Sequence, residues 1–360
     1  MTDAELIKAA AYLMERIGDR ATPANDIIGD YVRTHRYLTA EERAKLLDMV
    51  WTAIRATARL KYAYPECSWA ERLQHLSHTG VPDCADAPNW VRWEVPEWFP
   101  AHVPEAELEL PQMLGNAPII LRANGNRDKV IAALAEEGVA VEPCAQSPFG
   151  LILPKFQDLT GTKVYKKGLL EIQDEGAQLV ALDIGVKPKQ DVFDFCAGVG
   201  GKSLIFAQMM ENRGLIQAYD IMPKRLFELT KRAARAHVSI IKIVPKLPEP
   251  HKKFDHVVVD APCSGTGTWR RMPDMRWKFS EKQLANIIKT QAEILNRAER
   301  YVKNGHYLSY ITCSLTQDEN EAQVAAFLKT HPNYAVLKQK RYSPWRTKTD
   351  GFFLCLMQKR

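Results

Sequence analysis

Two cysteines stand where a thiol could do chemistry. Cys263 lies in VVVDAPCSGTG and Cys313 in GHYLSYITCSLTQDENEAQV, each just past an apolar run that reads as a strand. Strand ends in an open α/β sheet face the ligand crevice, so one thiol could be a nucleophile and the other its helper. A free cysteine is also a common core residue, which is the plain alternative for either one alone. Asp260 lies three residues before Cys263.

A second stretch, FDFCAGVGGKS, ends a strand in a glycine-rich turn and opens a helix. Its candidate ligand contacts are Cys196, Ala197, Gly198, Val199, Gly200, Gly201 and Lys202. Glycines there let the backbone approach a ligand closely. The spacing is neither GxGxxG nor GxxxxGK[ST], which disfavours a dinucleotide or ATP site. One strand later AYD ends in Asp220, placed to accept hydrogen bonds from ribose hydroxyls. Loop and acid together suit a nucleoside cofactor such as S-adenosylmethionine, with Asp260 and Arg225 as further contacts. The alternative for Asp220 is to cap the next helix, whose first turn carries Pro223.

The 360 residues are 46% hydrophobic and 26% charged, a globular composition with length for two or three domains. No apolar run approaches the roughly 20 residues of a membrane helix. The start, MTDAELIKAAAYLMERIGDR, reads as a folded helix and not a signal peptide, so the expected compartment is the cytoplasm. A net charge of +6 permits a polyanionic partner. The seven cysteines are scattered and form no CxxC pair, so neither a disulfide framework nor a metal site is expected.

These residues must be positioned by an α/β frame. DVFDFC, GLIQAYD, SIIKIV, FDHVVVD and HYLSYIT read as strands alternating with helices, the pattern of a parallel sheet covered on both faces. NYAVLKQKRY and GFFLCLMQK suit an antiparallel hairpin at its edge. Upstream, APIILRAN, VAVEPCAQ and GLILP read as strands of a small α/β unit around the helix NRDKVIAALAEEG. The first 64 residues repeat apolar positions at helical spacing, with Thr39 and Glu42 forming a capping box. The Trp- and Pro-rich residues 81 to 112 read as a packed connector.

From about residue 171 onward the chain resembles the RNA (cytosine-5) methyltransferase family, most closely its bacterial 16S rRNA branch, the RsmB/Sun/Fmu-like enzymes. The resemblance rests on IQDEGAQL, FDFCAGVGGKS, AYDIMPKRL, VVVDAPCSGTGTWRRMPDMRW, LSYITCSLTQDENE and DGFFLCL, in that order. It implies a Rossmann-like class I methyltransferase sheet at 176–360, a small α/β RNA-contacting subdomain at 113–175, a connector at 81–112 and a shortened NusB-like helical domain at 1–80. The cofactor would be S-adenosylmethionine and the partner RNA, with the protein acting as a monomer. Two departures stand out. Val199 and Ser203 replace the proline and threonine of the family's AxPGGKT loop, and no acid follows the third strand until Glu249.

By the same resemblance Cys313 is the nucleophile that attacks C6 of a cytosine, activating C5 for methylation, and Cys263 assists release. Asp260 would hold the N3/N4 edge of the base, and Lys202 would stabilise developing charge. A base in a duplex is inaccessible, so the target must be single-stranded or extruded. Candidate phosphate contacts are Lys163, Lys166 and Lys167, then Arg270, Arg271, Arg276 and Lys278, then Arg341, Arg346 and Lys348. Trp269 and Trp277 interleave with the second group and could stack on bases. For any single charge a solvated face is the simpler reading. A DNA enzyme would need only the PC cysteine. A tRNA methyltransferase, or a silent RNA-binding assembly factor with this fold, are the alternatives.

Overall fold

Thr39 caps its helix as the sequence predicts. Its hydroxyl accepts the Glu42 N–H at 3.2 Å, and the Glu42 carboxylate accepts the Thr39 N–H at 2.8 Å. Ser68 and Glu71 repeat the box at a later helix. The structure, a computed structural model, describes residues 1–19, 22–249 and 251–360. The chain divides into two units, Met1–Asn116 with Thr268–Leu284, and Ala117–Gly267 with Ala285–Arg360. Among the described residues no helix is long and apolar enough to cross a membrane.

The first unit is helical. Helices Asp3–Asp19, Ala24–Thr34, Ala40–Arg55, Thr57–Ala63 and Trp69–Thr79 bury one apolar stripe each, with Leu13, Leu46, Val50 and Leu73 at the centre. The connector forms short helical turns that bury Trp93, Val95 and Phe99. The segment after the PC cysteine, Thr268–Leu284, belongs to this unit and not to the sheet that precedes it.

That membership corrects the reading of Trp269, Arg270, Arg276 and Lys278 as an RNA surface. Trp269 is 2% exposed, with its ring 4.5 Å from that of Phe99. Arg276 is 1% exposed and donates to the carbonyls of Met113 and Glu94. The Arg270 side chain is buried and its carbonyl accepts from Arg55 at 3.0 Å. Lys278 donates to the Thr22 carbonyl at 2.6 Å and to Asp274, which in turn accepts the Ala24 N–H at 2.9 Å. Trp277 packs beside Ala58 and Val91. Short helical turns leave carbonyls without helical partners, and the cations satisfy them.

The second unit holds two sheets. In the smaller, β1 (Ile119–Ala123), β2 (Glu142–Pro143), β3 (Gly150–Leu153) and β4 (Leu170–Ile172) run in the order β2-β3-β1-β4, antiparallel throughout. Only two residues of the predicted strand VAVEPCAQ pair. The larger sheet contains β5 (Asp191–Asp194), β6 (Leu215–Ala218), β7 (Ile241–Ile243), β8 (Phe254–Asp260), β9 (Val302–Thr312), β10 (Tyr334–Tyr342) and β11 (Phe352–Lys359). Its order is β10-β11-β9-β8-β5-β6-β7, parallel from β9 to β7, with the predicted antiparallel hairpin at the other edge.

Val257, Val258 and Val259 are all fully buried, which explains their unbroken apolar run. The strand order reverses between β5 and β8, so a crevice opens at their C-terminal ends. IQDEGAQL joins the two sheets. Gln178 donates to the Leu121 carbonyl of β1, and Glu175 accepts the N–H groups of Gln146 and Ser147.

Candidate active site

The crevice is a cavity of about 830 Å³ at the ends of β5, β6, β8 and β9. Register places its parts. Asp194 of β5 lies beside Ala218 and Val258, and Asp260 beside Ile311. Asp220, Cys263 and Cys313 follow those strand ends directly and line the cavity, with Lys202 and Asp260.

The glycine loop needs its glycines. Gly198 and Gly200 have φ of 55° and 85°, the left-handed region. A Cβ on Gly200 would lie 2.0 Å from Leu229 Cδ1. Asp220 ties the glycine loop to the turn that precedes the next helix, and its side chain does not cap that helix. Its carboxylate accepts the Gly198 N–H at 2.9 Å and the Met222 N–H at 2.8 Å, where the helix Pro223–Arg235 begins. Two of its roughly four lone-pair directions are thereby left for a ligand.

Both replaced loop residues have structural partners. The Val199 carbonyl accepts from Arg232 at 2.7 Å, and Arg232 is paired with buried Glu171. The Ser203 hydroxyl donates at 2.6 Å to Asp194, which lies fully buried under the loop. Burial pushes the Asp194 carboxyl up to about 7, against the Ser203 bond that lowers it. Glu249 does not line the cavity. The acids that do are Asp220, Asp260 and Glu293, the last from the helix Glu281–Ala298. Thr290 and Arg297 of that helix also reach the wall and had no motif to announce them, and Gln173 reaches it from IQDEGAQL, a stretch whose pattern does not single it out.

Lys202 Nζ donates to Asp260 at 2.6 Å. Burial alone would lower the ammonium's pKa, but Asp260 outweighs it and raises it. The ammonium therefore stays charged beside the thiols. Cys263 and Cys313 bring their sulfurs to 3.2 Å, and the Cys313 N–H donates to Cys263 Sγ at 3.3 Å. Both are free. The Cys313 sulfur alongside, then burial, push the Cys263 thiol well up, and the Glu319 carboxylate adds to this. Cys196 lines the cavity and burial raises its thiol too. Ala197 and Gly201 line it through the loop, and Arg225 stands exposed at its rim.

Of the basic candidates, Lys163, Lys166, Lys167, Arg346 and Lys348 are exposed. Arg271 is half-buried in the helical unit, and Arg341 is ion-paired with Glu321.

The cavity suits S-adenosylmethionine in volume and in donor set, with the Asp220 carboxylate on its wall and a left-handed glycine backbone that allows close approach. A sheet of this order, with a glycine loop after β5 and an acid after β6, defines a class I methyltransferase that uses S-adenosylmethionine. The family described as "16S rRNA methyltransferase RsmB/F" matches residues 181–358. The "Probable ribosomal RNA small subunit methyltransferase B" of Bacillus subtilis is 31% identical over 325 residues, covering 80% of this chain and 72% of that protein. The ribosomal RNA small subunit methyltransferase B of Photorhabdus laumondii is 30% identical over 285 residues, covering 74% and 66%.

The chain belongs to this family, and it spans about two thirds to three quarters of the length of these two relatives. Among solved structures, PH0851 superposes with a TM-score of 0.81 at 22% identity, covering 100% of this chain and 99% of that one. A methyltransferase homologue from Pyrococcus horikoshii gives 0.63 at 21%, covering 84% and 99%. Both likenesses are of fold.

Proposed function

We propose that this protein methylates C5 of a cytosine in RNA, with 16S rRNA as the substrate its relatives' names suggest. The observation that carries this reading is the thiol pair, 3.2 Å apart on the wall of a cavity that also holds Asp220 and the Lys202–Asp260 pair.

Cytosine C5 is a weak nucleophile. Cys313 as thiolate adds to C6, forming an S–C6 bond and moving electron density to C5. The Lys202 ammonium, held by Asp260, would stabilise the charge that builds on the ring. Bound S-adenosylmethionine supplies a methyl group on an electrophilic sulfonium. C5 takes that methyl while the S–CH3 bonding pair stays with the departing thioether; the C5 proton then passes to water, its electrons return to the ring, and the C6–S bond breaks to free Cys313 as thiolate. Cys263, with its sulfur 3.2 Å from that of Cys313, is the neighbour that assists this release. Asp220 and the backbone of Gly198 and Gly200 would hold the nucleoside part of the cofactor. Exposed Lys166 and Lys167 are offered as phosphate contacts.

Bisulfite sequencing of total RNA from cells with and without the gene tests the reading. The expected result is one protected cytosine in 16S rRNA that disappears with the gene. Loss of a tRNA cytosine instead would move the substrate, and no change in any RNA would reject the activity.

A further inference from the structure

Glu319 takes no part in the steps above, yet it is fully buried between the two thiol loops. One carboxylate oxygen accepts the Ser264 N–H at 2.8 Å and the Gln291 side chain at 3.0 Å. The other accepts the hydroxyls of Ser264, Ser314 and, at 2.9 Å, Thr316. Ser264 follows Cys263, and Ser314 follows Cys313. Five donors therefore converge on an acceptor with about four lone-pair directions.

The two loops leave neighbouring parallel strands, β8 and β9, and no covalent link joins them. Packing alone would be met by an apolar side chain at this depth, and a carboxylate is tolerated there only because its oxygens are so fully bonded. Asn320, also fully buried, braces the same loop. Its side chain accepts from Thr312 Oγ1 at 2.5 Å and donates to the Ser314 carbonyl at 3.0 Å.

We propose that Glu319 is a positioning residue that straps the Cys263 and Cys313 loops together and sets the spacing of their sulfurs. Its consequence for turnover rests on the function proposed above, whereas the spacing can be measured without RNA.

The probe is diamide acting on the full chain. Diamide takes two electrons and two protons from the thiol pair, becomes the hydrazine and leaves a Cys263–Cys313 disulfide. The sulfurs must close to about 2.05 Å, so the rate of this bond reports their approach. Unreduced peptide mapping by mass spectrometry follows it. Glu319→Ala should slow the disulfide on the order of tenfold or more. Glu319→Gln keeps an acceptor for the Ser264 N–H and offers an amide to hydroxyls that can rotate to accept it. Its rate should stay within about threefold of the parent.

A parental rate in folded Glu319→Ala would overturn the proposal. Should that variant not fold, Ser314→Ala removes one strap and keeps the carboxylate. A several-fold slower disulfide then supports the clamp, and an unchanged rate overturns it. On RNA, Glu319→Ala should lose turnover at unchanged S-adenosylmethionine affinity, and Glu319→Gln should recover it. If the parent protein methylates no cytosine, the proposed function fails while the diamide rates still judge the clamp.

Discussion

Cys263 and Cys313, fifty positions apart in the chain, meet with their sulfurs 3.2 Å apart and share one hydrogen bond. The contact is asymmetric, because the Cys313 N–H also donates to Cys263 Sγ. Two variants separate their roles. Cys313→Ala should abolish both methyl transfer and any covalent RNA adduct. Cys263→Ala should leave attack intact and slow release, so that a protein–RNA band persists on a denaturing gel. Normal transfer by Cys313→Ala would remove it as nucleophile.

Asp220 joins the glycine loop to the start of the following helix. Asp220→Ala removes an anionic acceptor from two backbone donors and from the ligand. Calorimetry should show S-adenosylmethionine bound about 10- to 100-fold more weakly, the range of one charge-assisted hydrogen bond. Unchanged affinity would place the ribose elsewhere.

Asp194 makes stability depend on pH. Burial raises its folded pKa to about 7, above the roughly 3.9 of an unfolded aspartate. Between those values the native state binds more protons than the unfolded chain, so stability falls as pH rises through the window. The contribution is fully present below about pH 4 and lost above about 7. Asp194→Asn keeps the shape and cannot titrate. Urea midpoints from pH 5 to 8 should therefore decline less in the variant than in the parent.

Arg276 and Lys166 are both basic, but only Lys166 is exposed. Arg276→Ala should cost about 3 kcal/mol of stability, because it strips buried carbonyls of a cationic donor. It should leave the salt dependence of RNA binding unchanged. Replacing exposed Lys166 and Lys167 together should instead flatten the slope of log affinity against log salt by about 1.4, at roughly 0.7 per phosphate contact on single strands. Filter binding at several salt concentrations measures both.

Local patterns carried most of the architecture. The capping box at Thr39, the terminal hairpin and the succession of strands and helices along the chain from Asp191 onward follow from periodicity and neighbouring residue types, which act within a few positions. So does the glycine loop, whose left-handed Gly198 and Gly200 need no distant partner to be recognised.

What the sequence by itself determined is thus the set of chemical parts: two strand-end thiols, a glycine loop and an acid one strand on. Only the tertiary structure decided how they meet and what surrounds them. The run TWRRMPDMRWK reads as a basic aromatic surface, yet it is pinned inside the helical unit, because burial depends on what packs against a segment and not on its own composition. Glu319 looks like one acid among several in QDENE. It becomes the tie between two thiol loops only when β8 and β9 bring Ser264 and Ser314 to the same carboxylate. Hydrogen bonds reach about 3 Å in space, and a chain records proximity only along itself.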